Sequence, residues 1–212
     1  MKKNNFKKNG FLVIEKVIDP KIAEFVYTYF LMKAQVTQTF FETKYISPFE
    51  KSWGVFGDLQ CPKSYSHYSD IAMEILLLQA LPTVEKHTQL KLSPTYSYAR
   101  VYTQGDELKR HKDRFSCEVS ASVNLGGSLW PIYIDPTGKQ GQAGIKVDLK
   151  PGDMLIYKGD KSEHWREKFT GTTCVQVFLH YNSKTPGAKD NIFDGRPHLG
   201  LPLWFKGFKF TK

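Results

Sequence analysis

The second half of the chain is a succession of short segments rich in β-branched and aromatic residues, and this pattern constrains the fold most. From residue 96 onward, segments such as YSYARVYTQ, CEVSASVNL and TTCVQVFLHY have the composition of strands. Turn-forming residues separate them, for example at Gly126–Gly127 and Pro151–Gly152. Helices followed by closely spaced strands predict an α+β, mostly β protein: an antiparallel sandwich or barrel with helices packed outside it.

The N-terminal part, residues 1–95, is predicted to supply supporting helices. Phe11–Ile14 has the composition of a short strand. Asp19 followed by Pro20 combines a capping side chain with a residue favoured at the first helical position. Apolar residues then recur at helical spacing, which predicts an amphipathic helix over residues 20–34.

The stretch between this helix and the strands is less regular. Residues 35–66 carry no clear period and are expected to form a long, partly ordered excursion. A second helix is predicted from Ile71 to about Leu81, ended or kinked at Pro82, with a further helical turn to about His87.

The length of 212 residues is that of one generous domain. We expect a single domain over residues 1–212, with helical support in 1–95, a β core in 96–181 and a C-terminal tail in 182–212. The tail has Pro and aromatic residues without a period, so it is expected to pack over the barrel or to act as a lid beside a substrate groove.

The charge balance allows anionic partners but identifies none. The 30 Lys and Arg exceed the 21 Asp and Glu, giving a net charge of +9, which permits a nucleic acid, an anionic surface or an acidic small substrate. Three separated cysteines fit a reducing cytosol. No apolar run is long enough to span a bilayer. The sequence therefore predicts a soluble, cytoplasmic protein without a membrane partner.

A small set of metal-ligand residue types stands out in the β-rich part. His111 and Asp113 form an HxD, whose side chains would project to the same side of an extended segment about 7 Å apart. His164 follows much later, after the strand DMLIY and the turn KGDKSE. Two imidazoles and one carboxylate on one side of a metal form the facial triad of non-haem Fe(II) sites, whereas zinc more usually takes a tetrahedron. Taken singly, each residue also fits a surface loop or a strand-capping turn; His180, on the closing strand, competes with His164.

The arrangement of these motifs resembles that of the Fe(II)- and 2-oxoglutarate-dependent oxygenases, in particular the prolyl-4-hydroxylase-like branch. The resemblance covers about residues 96–181. The elements that carry it are Tyr102-x-x-Gly105, His111-x-Asp113, Gly152-Asp153 before an apolar strand, and His164.

The resemblance implies a double-stranded β-helix (jelly-roll) core with the metal at one mouth and His111, Asp113 and His164 as iron ligands. The implied cofactors are Fe(II), 2-oxoglutarate as cosubstrate, and O2. The implied reaction is that of a dioxygenase, a hydroxylase that converts a C–H of a prolyl residue in a peptide, or of a small molecule, with release of succinate and CO2.

The chain departs from the family pattern at the cosubstrate. The family usually has a cation for the far carboxylate of 2-oxoglutarate at positions that are Thr173, Cys174 and Val175 here. Arg166 is the substitute we expect, because on an extended segment it points to the same side as His164 and its guanidinium can bind a carboxylate with two hydrogen bonds. The alternative is that Arg166 pairs at the surface with Glu163 or Glu167.

Further pocket candidates come from the neighbouring strands. Tyr102 matches the tyrosine that donates a hydrogen bond to the cosubstrate in the hydroxylase branch, and Gln176 is a weaker candidate. Arg100 shares a face with Tyr102 and either lines the pocket or lies on the strand surface. Arg114 either orients the carboxylate of Asp113 or pairs with Glu118. Ser122 belongs to the alternating row Ser120, Ser122 and Asn124, which would face inward in a ligand-holding barrel.

Two other functions remain open. One is a cupin-like metalloenzyme that uses the same triad without 2-oxoglutarate, which the absent cation favours. The other is a basic, non-catalytic β-barrel that binds nucleic acid; it would explain the charge, but the chain lacks the stripe of Arg and aromatic residues that such binding uses, which disfavours nucleic acid as a partner. The sequence specifies neither the substrate nor the oligomeric state.

Overall fold

The computed structural model describes residues 5–58, 60–184 and 191–207. Within them the helices are α1 (Phe6–Asn9), α2 (Pro20–Glu42) and α3 (Ile71–Thr88). The strands are β1 (Phe11–Ile14), β2 (Val55–Phe56), β3 (Tyr65–Tyr68), β4 (Leu92–Thr103), β5 (Leu108–His111), β6 (Val119–Gly127), β7 (Ile132–Asp135), β8 (Ile145–Val147), β9 (Met154–Lys158), β10 (Glu163–Arg166) and β11 (Thr173–Ser183). The long strand β4 begins at Leu92, slightly before the predicted start of the β core, and three short strands precede it.

The strands form two antiparallel sheets that face each other. The larger sheet has the order β1-β9-β6-β11-β4-β3-β2 and the smaller one β5-β10-β7-β8. Ile132 and Ile134 of the smaller sheet share a buried cluster with Leu155 and Tyr157 of the larger sheet. This architecture is the expected double-stranded β-helix with its helices outside.

The helices α2 and α3 cover the outer face of the larger sheet. Val119, Ala121 and Val123 of β6 belong to the same buried cluster as Phe30 of α2 and Leu77 of α3. Because side chains alternate along a strand, the intervening Ser120 and Ser122 face the space between the two sheets. The polar row of this strand therefore lies inside the barrel.

The first long helix extends beyond its predicted end. It begins as expected, with Asp19 accepting a hydrogen bond from the Lys21 amide at 2.8 Å and Pro20 in the first turn. It continues to Glu42, so the expected excursion over 35–66 is wrong for its first residues. Thr37 is the single buried residue in this extension, and a helix with so small a buried face leaves no apolar period in the sequence.

The second long helix passes through Pro82 without ending. It continues to Thr88, and Gln89 closes it in a left-handed conformation. Pro82 is solvent-exposed, so water can satisfy the carbonyl group that loses its partner there. The helix is also preceded by a strand, β3, within the predicted excursion.

The C-terminal segment over 191–207 is irregular, as expected, with two short 3-10 turns at Ile192–Gly195 and Leu203–Phe205. The remaining parts of the predicted tail, 185–190 and 208–212, lie outside the described residues. None of the helices described has the length and apolar character needed to cross a membrane.

Candidate metal centre

Three side chains from different parts of the chain converge at one mouth of the barrel. His111 ends β5 and lies directly opposite His164 of β10 in the strand register, with ring centroids 4.3 Å apart. Asp113 follows the end of β5 and is placed by a hydrogen bond of 2.9 Å from its amide to the Gly159 carbonyl. Its Oδ1 lies 3.7 Å from His111 Nε2 and 3.5 Å from His164 Nε2. The structure therefore brings the predicted triad together, although residues 112–114 lie beyond the strand.

Each imidazole is oriented by a backbone carbonyl. His111 Nδ1 lies 2.7 Å from the Lys109 carbonyl, and His164 Nδ1 lies 3.3 Å from the Ser162 carbonyl. A carbonyl oxygen only accepts, so the proton is on Nδ1 in both rings and the lone pair of Nε2 is directed at the shared centre. Metal-binding histidines are commonly held in this way.

The second oxygen of Asp113 is occupied by a serine. Ser120 Oγ donates to Oδ2 at 2.8 Å, and since its single proton is used there, it accepts from Nδ1 of His180 at 3.0 Å. A Cβ added to Gly159 would collide with both Ser120 and Asp113. Only Oδ1 therefore remains directed at the two histidines.

Burial and charge keep these groups in the forms that bind metals. Burial lowers the pKa of His111 below its usual value, so the ring is neutral at neutral pH. Burial alone would raise the pKa of Asp113, but the imidazoles of His164 and His180 and the Ser120 hydrogen bond hold it well below the ordinary range of a carboxyl group. The neutral imidazole of His111, the imidazole of His164 and the carboxylate of Asp113 face the centre.

The donor set fits a divalent transition-metal ion. The three donor atoms lie within 4.8 Å of one another. Donors at right angles around one ion are about 3 Å apart, so a small inward movement would close the site. The open side faces a cavity of about 340 Å³ that His111, Asp113 and His164 help to line. Three ligands on one side and a cavity on the other are typical of non-haem Fe(II) centres.

The far wall of this cavity carries Arg100 and Tyr102. The Tyr102 ring is fully buried, and its hydroxyl accepts from Arg100 at 3.4 Å. Burial raises the pKa of Tyr102 to about 12, against the charges of Arg100 and Arg166. Arg100 also forms an ion pair with Asp58. Arg100 thus lines the pocket, as one of its two interpretations proposed, but its charge is already neutralised.

Arg166 lies inside the barrel, behind the cavity surface. It is 1% exposed, donates to the Trp130 carbonyl and to Gln176 Oε1 at 3.2 Å, and its Nε has no partner. No carboxylate pairs with it among the described residues. The surface alternative is therefore wrong: Glu163 pairs with Arg110 at 2.6 Å.

Burial lowers the pKa of Arg166, as expected for a charge without a counterion. An uncompensated buried cation is costly. The guanidinium group of Arg166 therefore lacks an anionic partner among the described residues, and a bound anion would supply one.

Two other candidates lie elsewhere than expected. Arg114 donates to Tyr96 at 3.3 Å and to Asp194 at 2.7 Å, so it neither orients Asp113 nor pairs with Glu118. Both interpretations of this residue are wrong because the C-terminal segment, whose position the sequence does not indicate, supplies the partner. Ser122 faces inward but is buried without a partner for its Oγ in the described structure, and it does not line the cavity.

His180 lies on the other side of Asp113 from the triad. Together with Cys117 it forms a second group around the same carboxylate, with ligand atoms within 4.8 Å of one another. Burial lowers the pKa of His180 to about 4 and raises that of Cys117 to about 12. A protonated thiol is a poor metal ligand, so His164, opposite His111, completes the better donor set.

Comparisons with known proteins agree with this architecture. No protein-family model matches the chain, and no curated protein is similar to it in sequence. Solved structures with the same fold include HygX from Streptomyces hygroscopicus with nickel and 2-oxoglutarate bound (16% identity over 84% of this chain and 85% of that chain, TM-score 0.58). They also include a prolyl-4-hydroxylase from Pseudomonas putida (13%, 85% and 96%, 0.56) and an oxidoreductase of the 2OG-Fe(II) oxygenase family from Burkholderia pseudomallei (13%, 87% and 90%, 0.56). At these identities the similarity shows a shared fold, the jelly roll of such oxygenases.

Proposed function

We propose that this chain is an Fe(II)- and 2-oxoglutarate-dependent oxygenase in which His111, Asp113 and His164 hold the iron. One observation carries the proposal: two imidazoles and one carboxylate oxygen, with lone pairs convergent, face a cavity at the mouth of a jelly roll. The solved structures that share this fold and carry 2-oxoglutarate and a metal support it further. Bound iron, 2-oxoglutarate and O2 would supply the oxidising power to convert a C–H to a C–OH, releasing succinate and CO2.

The residues of this chain would bind, orient and exclude water. A facial triad leaves three positions of the metal open on the cavity side. Tyr102, Trp130 and Phe169 pack as an aromatic wall behind the cavity, which would keep bulk water from the cosubstrate.

Arg166 is proposed to bind the far carboxylate of 2-oxoglutarate, with Tyr102 and Gln176 beside it. The absence of a counterion supports this assignment. Arg166 is a buried cation without a carboxylate partner among the described residues, whereas Arg100 is already paired with Asp58. Gln176 lies on β11 close to the positions where the family usually places its cation, and it contacts Arg166 directly. The guanidinium would thus reach the usual carboxylate position from a strand of the facing sheet.

Within this class we propose a hydroxylase, acting as a single domain on a small molecule or a peptide. The prolyl-4-hydroxylase from Pseudomonas putida with the same fold keeps a prolyl residue among the candidate substrates. Nucleic acid is not the partner we propose, since the net positive charge is not gathered into a binding stripe.

The test is anaerobic addition of Fe(II) and 2-oxoglutarate to the protein, followed by visible absorption. We expect a metal-to-ligand charge-transfer band, lost in His164→Ala and retained in the matched variant His87→Ala, since His87 is exposed and distant from the cavity. Iron binding without the band would favour the cupin-like alternative. Absence of both, together with salt-sensitive nucleic-acid binding, would favour the third function.

A second experiment separates the two arginines. Replacing Arg166 by Met, of similar length and without charge, should raise the half-saturating 2-oxoglutarate concentration at least ten-fold, since hydrogen bonds to charged groups contribute about 1.5–3 kcal/mol. Iron affinity should change little. If Arg100→Met raises that concentration more than Arg166→Met does, Arg100 binds the carboxylate and the assignment of Arg166 is wrong.

A further inference from the structure

A second, larger cavity adjoins the proposed metal pocket. It has a volume of about 740 Å³ and lies between α2, the segment around Lys51, the β3–α3 corner and the C-terminal segment near Trp204. Tyr98 lines both cavities, and its hydroxyl donates to Asp58 on the metal side and contacts Ser66 of β3 at 2.8 Å. The two cavities therefore meet at one side chain. The larger volume is within the range of small-molecule sites.

The C-terminal wall of this cavity is fixed by buried charges. Arg196 is buried and donates to Glu74 of α3 at 2.8 Å and to the Thr95 carbonyl at 3.0 Å. Asp194 accepts from Tyr68 at 2.8 Å and from Arg114 at 2.7 Å. Since Arg114 also lines the metal pocket, one buried carboxylate joins both cavities to the C-terminal segment. These buried contacts hold the C-terminal wall of the cavity in place.

The cavity surface combines exposed apolar groups with aromatic faces. Trp204 is 56% exposed, and Leu203 and Ile71 beside it are also among the exposed large apolar residues. Tyr29 and Tyr68 add aromatic surface. Apolar groups gathered in a concave surface indicate a ligand with an apolar or aromatic ring part.

The charged side chains that line the same cavity, Lys33 and Lys51, are both cationic. Lys33, Lys51 and His67 line it, and no carboxylate does so in the part of the chain that the structure describes. The His67 side chain is 8% exposed and lines the same cavity. Asp70, behind the lining, contacts His67 Nδ1 at 3.2 Å and forms an ion pair with Lys33 Nζ, so Lys51 is the lining lysine without an ion pair among the described residues. The ammonium group of Lys51 is therefore the one with which an acidic group of a ligand would pair.

We propose that this cavity binds the part of the substrate remote from the reacting C–H, and that the substrate is a small amphipathic molecule with a ring system and an acidic group. The proposal rests on the proposed function. Trp204 and Tyr68 would contact the ring, and the acid, a carboxylate or a phosphate, would lie near Lys51. The site would disfavour a cationic substrate of equal shape, because the ammonium group of Lys51, which has no ion pair in the described part of the chain, would repel it.

The probe for this site is 1-anilinonaphthalene-8-sulfonate, an aromatic anion, titrated by fluorescence into the full chain with and without Ni(II) and 2-oxoglutarate. Trp204→Ala and Lys51→Glu should each weaken its binding about five-fold, since an aromatic contact or a close charge contributes about 1 kcal/mol. Phe25→Ala and Lys21→Glu are matched controls, because both residues are exposed on α2 and outside the cavity lining. Dansylcadaverine, an aromatic cation of similar size, should bind at least ten-fold more weakly.

The proposal is overturned if the anion and the cation bind equally, or if the two cavity variants bind the anion as the controls do. The charge-transfer band, measured on the same variants, separates the two proposals. A normal band with no cavity effect would remove the cavity proposal alone, whereas a cavity effect with no band in the unmodified protein would remove the oxygenase proposal and leave a binding site for amphipathic acids.

Discussion

The two oxygens of Asp113 have separate partners, and this separation sets the geometry of the centre. Oδ1 is directed at the imidazoles of His111 and His164, whereas Oδ2 accepts from Ser120. A carboxylate held in this way presents one oxygen to a metal and leaves the other coordination positions free. The serine acts through Asp113, so it is a positioning residue.

Ser120→Ala should weaken metal binding about ten-fold, because loss of a carboxylate's outer hydrogen bond typically costs that much in affinity. The measurement is titration with Co(II) followed by its visible absorption. Ser122→Ala is the matched control, since this serine is on the same strand and its Oγ has no partner. Equal Co(II) affinity in both variants would show that Ser120 does not position Asp113.

At the scale of single residues, the sequence predicts the three residues of the candidate centre better than the groups that hold them in position. An HxD followed, after a strand and a turn, by a histidine can be recognised in the amino-acid sequence alone. The Ser120 contact, the carbonyls behind the imidazoles and the Asp194 partner of Arg114 depend on strand register and loop path. The inward polar row signalled that Ser120 would face the interior, but nothing along the chain indicated which carboxylate it would meet.

Among the elements, the two long helices begin with the same cap in different surroundings. Asp19 caps α2 at the exposed surface with one bond to Lys21. Asp70 caps α3 with bonds to the amides of Ala72 and Met73, and its other oxygen accepts from Tyr29 at 2.8 Å and from Lys33. One buried carboxylate thus holds α2, β3 and α3 together.

Asp70→Ala should lower the free energy of unfolding by about 3 kcal/mol, since it leaves the half-buried ammonium group of Lys33 without its buried partner. Asp19→Ala, the same substitution at an exposed cap, should cost about 1 kcal/mol. Urea unfolding of both variants measures the difference. Equal losses would mean that Asp70 serves only as a helix cap.

The stability contributed by Asp70 should also depend on pH. Burial would raise its pKa, but the hydrogen bond with His67 and the charge of Lys33 hold it well below the ordinary value. A carboxyl group with a lowered pKa in the folded state contributes stability above the unfolded pKa of about 3.9 and loses it as pH falls. The gap between wild type and Asp70→Ala should therefore be constant above about pH 5 and narrow below about pH 4. A gap unchanged down to pH 3 would contradict this.

The elements that the sequence predicts least well are those in which a few residues depart from the pattern of the element around them. Pro82 predicts an end or a kink, with a further helical turn to about His87; the helix continues to Thr88, because the missing bond is tolerated on an exposed helical face. The extension of α2 to Glu42 has almost no buried face and therefore no period. Strands of the core, buried on both sides or alternating cleanly, are predicted close to their observed positions.

At the scale of the whole molecule, the C-terminal segment is attached to the barrel through a few buried charges. Arg196 and Glu74 form an ion pair in which neither side chain is more than 3% exposed, and Asp194 connects the same segment to Arg114. The segment passes beside both cavities. Its attachment could not be predicted, because neither arginine has a sequence signal that names its partner.

Arg196→Ala should loosen this segment while the barrel stays folded. Chymotrypsin cleavage within 191–207, at Phe193, Trp204 or Phe205, should become at least ten-fold faster, because local opening no longer breaks the buried pair. Arg110→Ala, which removes the ion pairs with the buried Asp135 and Glu163 of the smaller sheet, is the matched control and should leave that cleavage rate unchanged. Far-UV circular dichroism checks the barrel. Equal rates in both variants would mean that other contacts hold the segment.

Cys117 lies beside the proposed centre as a thiol that should resist oxidation. Its thiol borders the metal cavity, 3.0 Å from the Tyr96 hydroxyl, and its raised pKa leaves almost no thiolate at neutral pH. The thiolate is the form that peroxide and electrophiles attack. The protonated thiol of Cys117 should therefore resist oxidation, although it lies beside the site at which O2 is proposed to bind. Iodoacetamide should accordingly leave Cys117 unlabelled in the folded protein, and prolonged aerobic handling should not require added dithiothreitol.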